Sequence, residues 1–158
     1  MCGIDLGHWT LFEGTELPED FEWNPPLGFI YKITRKRDGK FYLGQKKILK
    51  TETRPPLKGK VRKRKIIKQS DWKTYCGSSN QLKEDIAKEG EDAFTFEILE
   101  FCNTKWVMSY EELRLQMINN VMARDDVYNA IVSVRLAKFP SIISKYNELC
   151  SRQIFKPF

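Results

Sequence analysis

The sequence predicts an α+β domain, a small three-stranded antiparallel sheet flanked by helices, from three observations. Two aromatic and β-branched runs, Gly28 to Arg35 and Lys40 to Gly44, flank a turn-like Lys36-Arg37-Asp38-Gly39, which spells a tight β-hairpin. Phe94, Phe96 and Ile98 alternate, marking a third strand through about Phe101. Helical patterns follow the hairpin and the third strand, giving the order β-β-α-β-α.

Each element has its own signals. Residues 1–27 hold six acids and no Lys or Arg, and carry Trp9, Phe12, Phe21 and Trp23 up to Pro25-Pro26. They are expected to form an irregular acidic arm, because prolines end regular structure. Its aromatics are expected to cover a side of the core; a second reading has the acids lying over the basic surface in competition with a ligand. Residues 45–70 contain a Pro55-Pro56 break and a Gly59 turn and predict a second, cationic hairpin or a loop insertion. Ser78 with Gln81 three residues on reads as a capping box, Leu82 and Ile86 share a helix face, and Gly90 is a C-terminal stop. The next helix is expected from near Ser109, with Leu113, Met117 and Val121 at fourfold spacing. Val127 to Val132 reads as a loop leading to an extended piece. Pro140 opens an expected C-terminal helix with Ile142, Ile143 and Tyr146, so residues 135–158 form a helical extension.

Composition narrows the class. The chain has 158 residues, 41% hydrophobic and 30% charged, as expected of one ordered domain. No apolar run approaches the roughly 20 residues of a membrane span, and the start lacks a basic segment leading into an apolar one, so the cytoplasm is the expected location. Cys2, Cys76, Cys102 and Cys150 form no CxxC pair, and the only histidine, His8, is distant from them in sequence. Reduced, packed thiols are therefore expected, and no zinc. Net charge is +6, yet Gln45 to Lys68 alone holds eleven Lys/Arg against Glu52. That concentration points to a polyanion.

The chemistry-bearing residues are Gly28-Phe29-Ile30-Tyr31, Tyr42-Leu43-Gly44, the stretch Asp71-Trp72-Lys73-Thr74-Tyr75-Cys76-Gly77-Ser78-Ser79, Glu112, and Tyr128-Asn129. In this order, across residues 28–134, they resemble the GIY-YIG nucleases, most of all the phage-encoded, free-standing Seg-like homing endonucleases. The first motif has one residue more than the family name.

The resemblance implies a Mg²⁺-dependent endonuclease, with Mn²⁺ as an alternative, acting on double-stranded DNA inside a bacterial host cell. It implies Tyr31 as general base or as the residue positioning the attacking water, Tyr42 as a positioner, and Glu112 as metal ligand. A base role requires lowering a tyrosine pKa of about 10 by ~3 units, or roughly 4 kcal/mol. Glu112 has a rival reading, because Ser109 and Glu112 satisfy a capping box; Glu111 replaces it if the helix register is off by one. The family usually places an arginine after the second motif, where this chain has Gln45-Lys46-Lys47. Lys46 is the first choice for charge stabilisation, with Arg62 and Arg64 as alternatives from the basic insertion. Asn129 is read as a phosphate donor, an orienting residue or an ordinary turn asparagine.

Lys47, Lys58, Lys60, Lys63, Lys65 and Lys68 are expected to contact DNA, mainly its phosphates. Ser78 and Ser79 suit a helix cap, a phosphate contact, or both. Trp72 and Tyr75 are expected in the core. Cutting both strands with one such site would take a dimer or two successive nicks. Two alternatives stay open: a DNA-binding module without cleavage, and an RNA-directed protein.

Overall fold

The computed structural model describes residues 3–132 and Leu136, so the helix expected from Pro140, Cys2 and Cys150 lie outside the described residues. The strands are β1 (Thr10–Leu11), β2 (Gly28–Arg35), β3 (Phe41–Lys47), β4 (Leu49–Arg54), β5 (Arg64–Gln69) and β6 (Phe94–Cys102). The helices are α1 (Asn80–Glu89) and α2 (Lys105–Ile118). The main sheet has four strands in the order β1-β6-β2-β3, and β4 and β5 form a separate two-stranded ribbon.

The expected α+β class stands, but the sheet is mixed and one strand larger than expected. Thr10 and Leu11 pair in parallel with Glu97 and Ile98, so the acidic arm contributes the outermost strand. Two residues without alternation give no strand signal in sequence; pairing alone makes them one. Trp9 and Phe21 are buried in the main core, and the Trp9 indole N–H donates to the Trp72 carbonyl at 2.6 Å. These aromatics cover the core, as the packing reading of the arm expects; Trp23 remains exposed.

The hairpin of β2 and β3 forms as the sequence predicts. Gly39 sits at φ +73°, the left-handed region where glycine carries no Cβ penalty, and its N–H closes the turn on the Arg35 carbonyl at 2.9 Å. Alternation then sorts side chains to two cores. Phe29, Tyr31, Ile33 and Tyr42 face α1 and Trp72, whereas Ile30, Phe41 and Leu43 face α2 through Met108 and Leu115.

Both helix starts differ from expectation. Ser79, not Ser78, caps α1, its hydroxyl accepting from the Leu82 N–H. Gly90 does terminate that helix, its N–H reaching the Ile86 carbonyl at 2.8 Å. Thr104 caps α2 through the Val107 N–H at 3.2 Å, so the helix begins at Lys105 and Ser109 lies inside it. The buried face therefore runs through Val107, Met108, Glu111 and Leu115, while Met117 is exposed. Of residues 45–70, left open between hairpin and loop, Gln45, Lys46 and Lys47 extend β3 past the expected end at Gly44, and the β4–β5 hairpin follows, paired from Leu49↔Gln69 to Arg54↔Arg64.

Candidate active site

Tyr31 lies directly opposite Gly44 in the β2–β3 register. A Cβ at position 44 would stand 2.5 Å from the Tyr31 hydroxyl and 2.8 Å from Cε1 of Tyr42. Only glycine lets the Tyr31 phenol lie across the neighbouring strand towards the outer edge of the sheet. The Tyr31 and Tyr42 rings are 6.0 Å apart at 32°, and Tyr75 closes the group edge-on to Tyr31 at 6.1 Å. Gly77, at φ +85°, brings the following turn over the same hydroxyl: its Cβ position is 3.6 Å from Tyr31 Oη. The β2–β6 register slips by one residue between Ile30 and Tyr31, a bulge of the kind that re-aims side chains beside sites.

Glu112 approaches from α2, which packs on the opposite face of the sheet. β3 is an edge strand, and Gln45, next to Gly44 on it, bonds the Glu112 carboxylate, so carboxylate and phenols lie along the same stretch of that edge. The charge of Glu112 opposes ionisation of both Tyr31 and Tyr42. Its Oε2 accepts from Gln45 Nε2 at 2.7 Å, and its Oε1 from Gln116 Nε2 at 3.4 Å. Gln116 also reaches the Leu43 carbonyl, tying α2 to β3 directly behind the carboxylate.

With Thr104 as the cap, the capping-box reading of Glu112 fails, since Ser109 and Glu112 both lie in the helix interior. Glu111 is also set aside, because its carboxylate is clamped by Arg114 at 2.9 and 2.5 Å. Glu112 is half-buried, and among the described residues no cationic side chain is paired with its carboxylate.

Burial governs the electrostatics. It pushes the Tyr31 phenol well above the usual tyrosine range, and the charges of Tyr42, Tyr75 and Glu112 push the same way. Tyr42 is raised by burial too, partly offset by its 2.7 Å hydrogen bond to Ser78 Oγ. Glu112 is raised by burial against the lowering effect of Gln45. The downward shift that a Tyr31 base requires is thus the reverse of what the DNA-free protein shows. A protonated phenol that orients water fits this environment better.

The remaining expected residues separate into groups. Lys46 sits at the rim, its ammonium 2.7 Å from Asp71 Oδ1 and 3.6 Å from the centroid of the Tyr75 ring. Asn129 is buried, and both ends of its amide engage Leu43: Oδ1 accepts from the Leu43 N–H at 2.9 Å and Nδ2 donates to the Leu43 carbonyl at 2.8 Å. It acts as an orienting residue for β3. Tyr128 bonds Asp85 at 2.8 Å and packs under Arg35, well within the fold. Ser78 is exposed beside Tyr42, and Ser79 serves as helix cap.

Arg62 and Arg64 stand at the far end of the β4–β5 hairpin, with Arg64 reaching the Pro55 carbonyl at 3.5 Å. Six strand residues separate that end from the base, about 20 Å, so they are not delivered to the tyrosines in this conformation. Lys47, Lys58, Lys60, Lys63, Lys65 and Lys68 are all exposed, with Lys68 paired to Glu52 at 2.6 Å.

Trp72 is fully buried as expected, but Tyr75 is only partly so and belongs to the site. Sequence reasoning missed Gln45, Gln116 and the spatial role of Gly77; the Tyr-x-Gly-Ser-Ser spelling carries the last, whereas glutamines give no signal. The distance between His8 and the cysteines closes on folding. His8, Cys76 and Glu91 come within 4.8 Å of one another, with His8 Nδ1 3.6 Å from Glu91 Oε2. Cys76 and Cys102 are free thiols. Among the described residues no helix is long and apolar enough to cross a membrane.

Comparison with known families gives one match, over residues 9–132, to the family described as "Putative endonuclease segE, GIY-YIG domain". The match starts at Trp9, consistent with the arm's strand belonging to the domain. No curated protein and no solved structure matches the chain.

Proposed function

The chain belongs to the GIY-YIG endonuclease family, and on that premise we propose that it is a Mg²⁺-dependent DNA endonuclease that hydrolyses phosphodiester bonds with water. The supporting observation is that Tyr31, Tyr42 and Glu112 lie along the same stretch of the β3 edge, beside Gly44.

Glu112 would hold the cation, together with water and a DNA phosphate oxygen. A single half-buried carboxylate suits Mg²⁺, which keeps several waters and takes few protein ligands. The bound ion would polarise the phosphate and stabilise negative charge on the departing oxygen. Gln45 and Gln116 hold the carboxylate in one orientation, so that little reorganisation accompanies binding.

Tyr31, kept protonated by burial, orients the attacking water, and Tyr42 with Ser78 lines the phosphate's approach. The water oxygen bonds to phosphorus as the opposite P–O bond breaks; its proton passes to solvent, and the leaving oxygen is protonated. Lys46 stabilises charge on the phosphate, exchanging its exposed partner Asp71 for the substrate. A phage or mobile-element homing role in a bacterial cytoplasm is part of the same reading.

Supercoiled plasmid with and without Mg²⁺ tests it. Nicking or linearisation is expected only with the ion, and Glu112→Ala and Tyr31→Phe should each lower the rate at least ~100-fold. A second reading, a binding module without cleavage, draws on one feature: the site's nearest cation is a lysine already paired with Asp71. Wild-type protein that binds DNA but never cuts, equalled by Glu112→Ala, would establish that module instead.

A further inference from the structure

The β4–β5 ribbon is built unlike the rest of the domain. Its strands contact each other extensively and no other element comparably. Neither face has a fully buried residue: Ile67 is 69% exposed, and at the tip Val61 is 95% exposed. An isolated two-stranded hairpin is marginal in water, so such a ribbon is a shape in need of a partner. From Leu49 to Gln69 it carries nine Lys/Arg and one acid, so the partner is a polyanion.

The cross-strand register sorts the side chains onto two unlike faces. Lys50, Glu52, Arg54, Arg64, Ile66 and Lys68 share one, where Glu52 pairs with Lys68 at 2.6 Å and with Arg54 at 3.5 Å. Leu49, Thr51, Thr53, Lys65, Ile67 and Gln69 share the other; Leu49 packs against the core at the base, and the remaining five are exposed. Hydroxyls, an amide, an ammonium and one bare aliphatic side chain are suited to the donor, acceptor and thymine-methyl pattern of base edges. A surface meant only for phosphates would have no use for an exposed Ile67 or two threonines.

Resting on the nuclease reading, we propose that the β4–β5 ribbon enters the DNA major groove, with Thr51, Thr53, Lys65, Ile67 and Gln69 towards the bases. The tip residues Lys58, Lys60, Arg62 and Lys63 hold phosphates on the groove wall. Two strands ~4.8 Å apart with side chains fit a groove about 12 Å wide. Their ~20 Å length covers about six base pairs at ~3.4 Å each. A-form RNA, whose major groove is too narrow for side chains to read, is excluded as the specific target. The ribbon begins two residues after Lys47, next to Lys46 and Asp71 at the rim of the tyrosine site. The sequence it reads therefore lies at a set offset from the bond that is cut.

The test is selection of bound duplexes from a randomised DNA pool by the full chain with EDTA present, so that binding is read without cleavage. Wild type should enrich a motif of about six base pairs. Thr51→Ala, Thr53→Ala, Ile67→Ala and Gln69→Ala combined should reduce that preference at least ~10-fold while leaving the salt dependence of binding unchanged. Lys58→Ala, Lys60→Ala, Arg62→Ala and Lys63→Ala combined should do the converse, lowering the log–log salt slope by about 3 to 4 and keeping the motif. Circular dichroism checks that both variants remain folded. No enriched motif, a motif that survives the first variant, or equal competition by duplex RNA overturns the ribbon proposal. Plasmid cleavage with Mg²⁺, measured in parallel, reports on the nuclease reading alone: cutting without a motif leaves that reading standing and removes only the ribbon's role.

Discussion

Around Tyr31 the chain removes freedom. The phenol is 1% exposed and packed against two other tyrosines, a glycine with no room for a methyl group lies beneath it, and the nearby carboxylate is held by two glutamines. Along β4–β5 the chain leaves freedom in place, with cations spaced on a ribbon that touches the domain at its base through Leu49. The contrast fits the two tasks proposed for these regions. Hydrolysis depends on sub-ångström placement, which dense packing supplies. The phosphate contacts proposed for the ribbon tip tolerate motion, because they can be made over many equivalent positions.

Four changes break or sharpen that contrast, in descending order of expected effect. Gly44→Ala would drive a methyl group into the Tyr31 hydroxyl. Plasmid cleavage should fall ~100-fold or more, about 2.7 kcal/mol in barrier, while DNA affinity in EDTA stays within about twofold. Normal cleavage by this variant would show that the corner tolerates slack and that the comparison is misdrawn.

Asn129→Ala removes both hydrogen bonds to Leu43 and leaves a strand N–H without its partner. Urea unfolding should show a loss of about 2 kcal/mol. Lys58→Ala with Lys60→Ala should lower the salt slope of binding by about 2 and leave the melting temperature within ~1 °C, since both side chains are free of the fold. A clear drop in melting temperature would mean that the ribbon supports the domain after all.

Glu112→Gln gives the smallest and most diagnostic shift. Burial raises the folded-state pKa of Glu112, so protonation favours the folded form. That contribution is fully present below the ordinary glutamate value of about 4.3 and is lost as pH rises through the raised one. Wild type should therefore gain stability on the glutamine variant as pH falls from about 7 towards 4, read from melting temperatures at each pH. The same pKa shift predicts that Mg²⁺-dependent cleavage weakens on acidification sooner than for an exposed carboxylate.

Much of this was legible in the linear chain because local rules and the fold agree there. The Asp38-Gly39 turn, the alternation of Phe94, Phe96 and Ile98, and the Gly90 stop all act over a few residues. Tyr31, Tyr42 and Glu112 were reached through motif order, with their meeting left for the structure to supply. Misreadings arose where two nearby residues offered the same chemistry. Ser78 and Ser79 both resemble caps, and Ser109 with Glu112 imitates a helix start that Thr104 in fact provides. Long-range partners left no trace: Thr10 becomes a strand only by pairing with Glu97, and His8 meets Cys76 only once the arm is wrapped. The direction of the Tyr31 shift was missed for the same reason, since burial is a property of neighbours, not of a motif.

The embrace of Leu43 by Asn129 has a consequence beyond holding β3 straight. A marginal strand with bare peptide groups is a template on which a second molecule can extend the sheet. Here a single carboxamide imitates the absent neighbour, and the adjoining Tyr128 N–H and Phe41 carbonyl close the next position at 2.8 Å. The β3 border is thereby capped at Phe41 and Leu43, where a second copy of the chain would otherwise find free peptide groups.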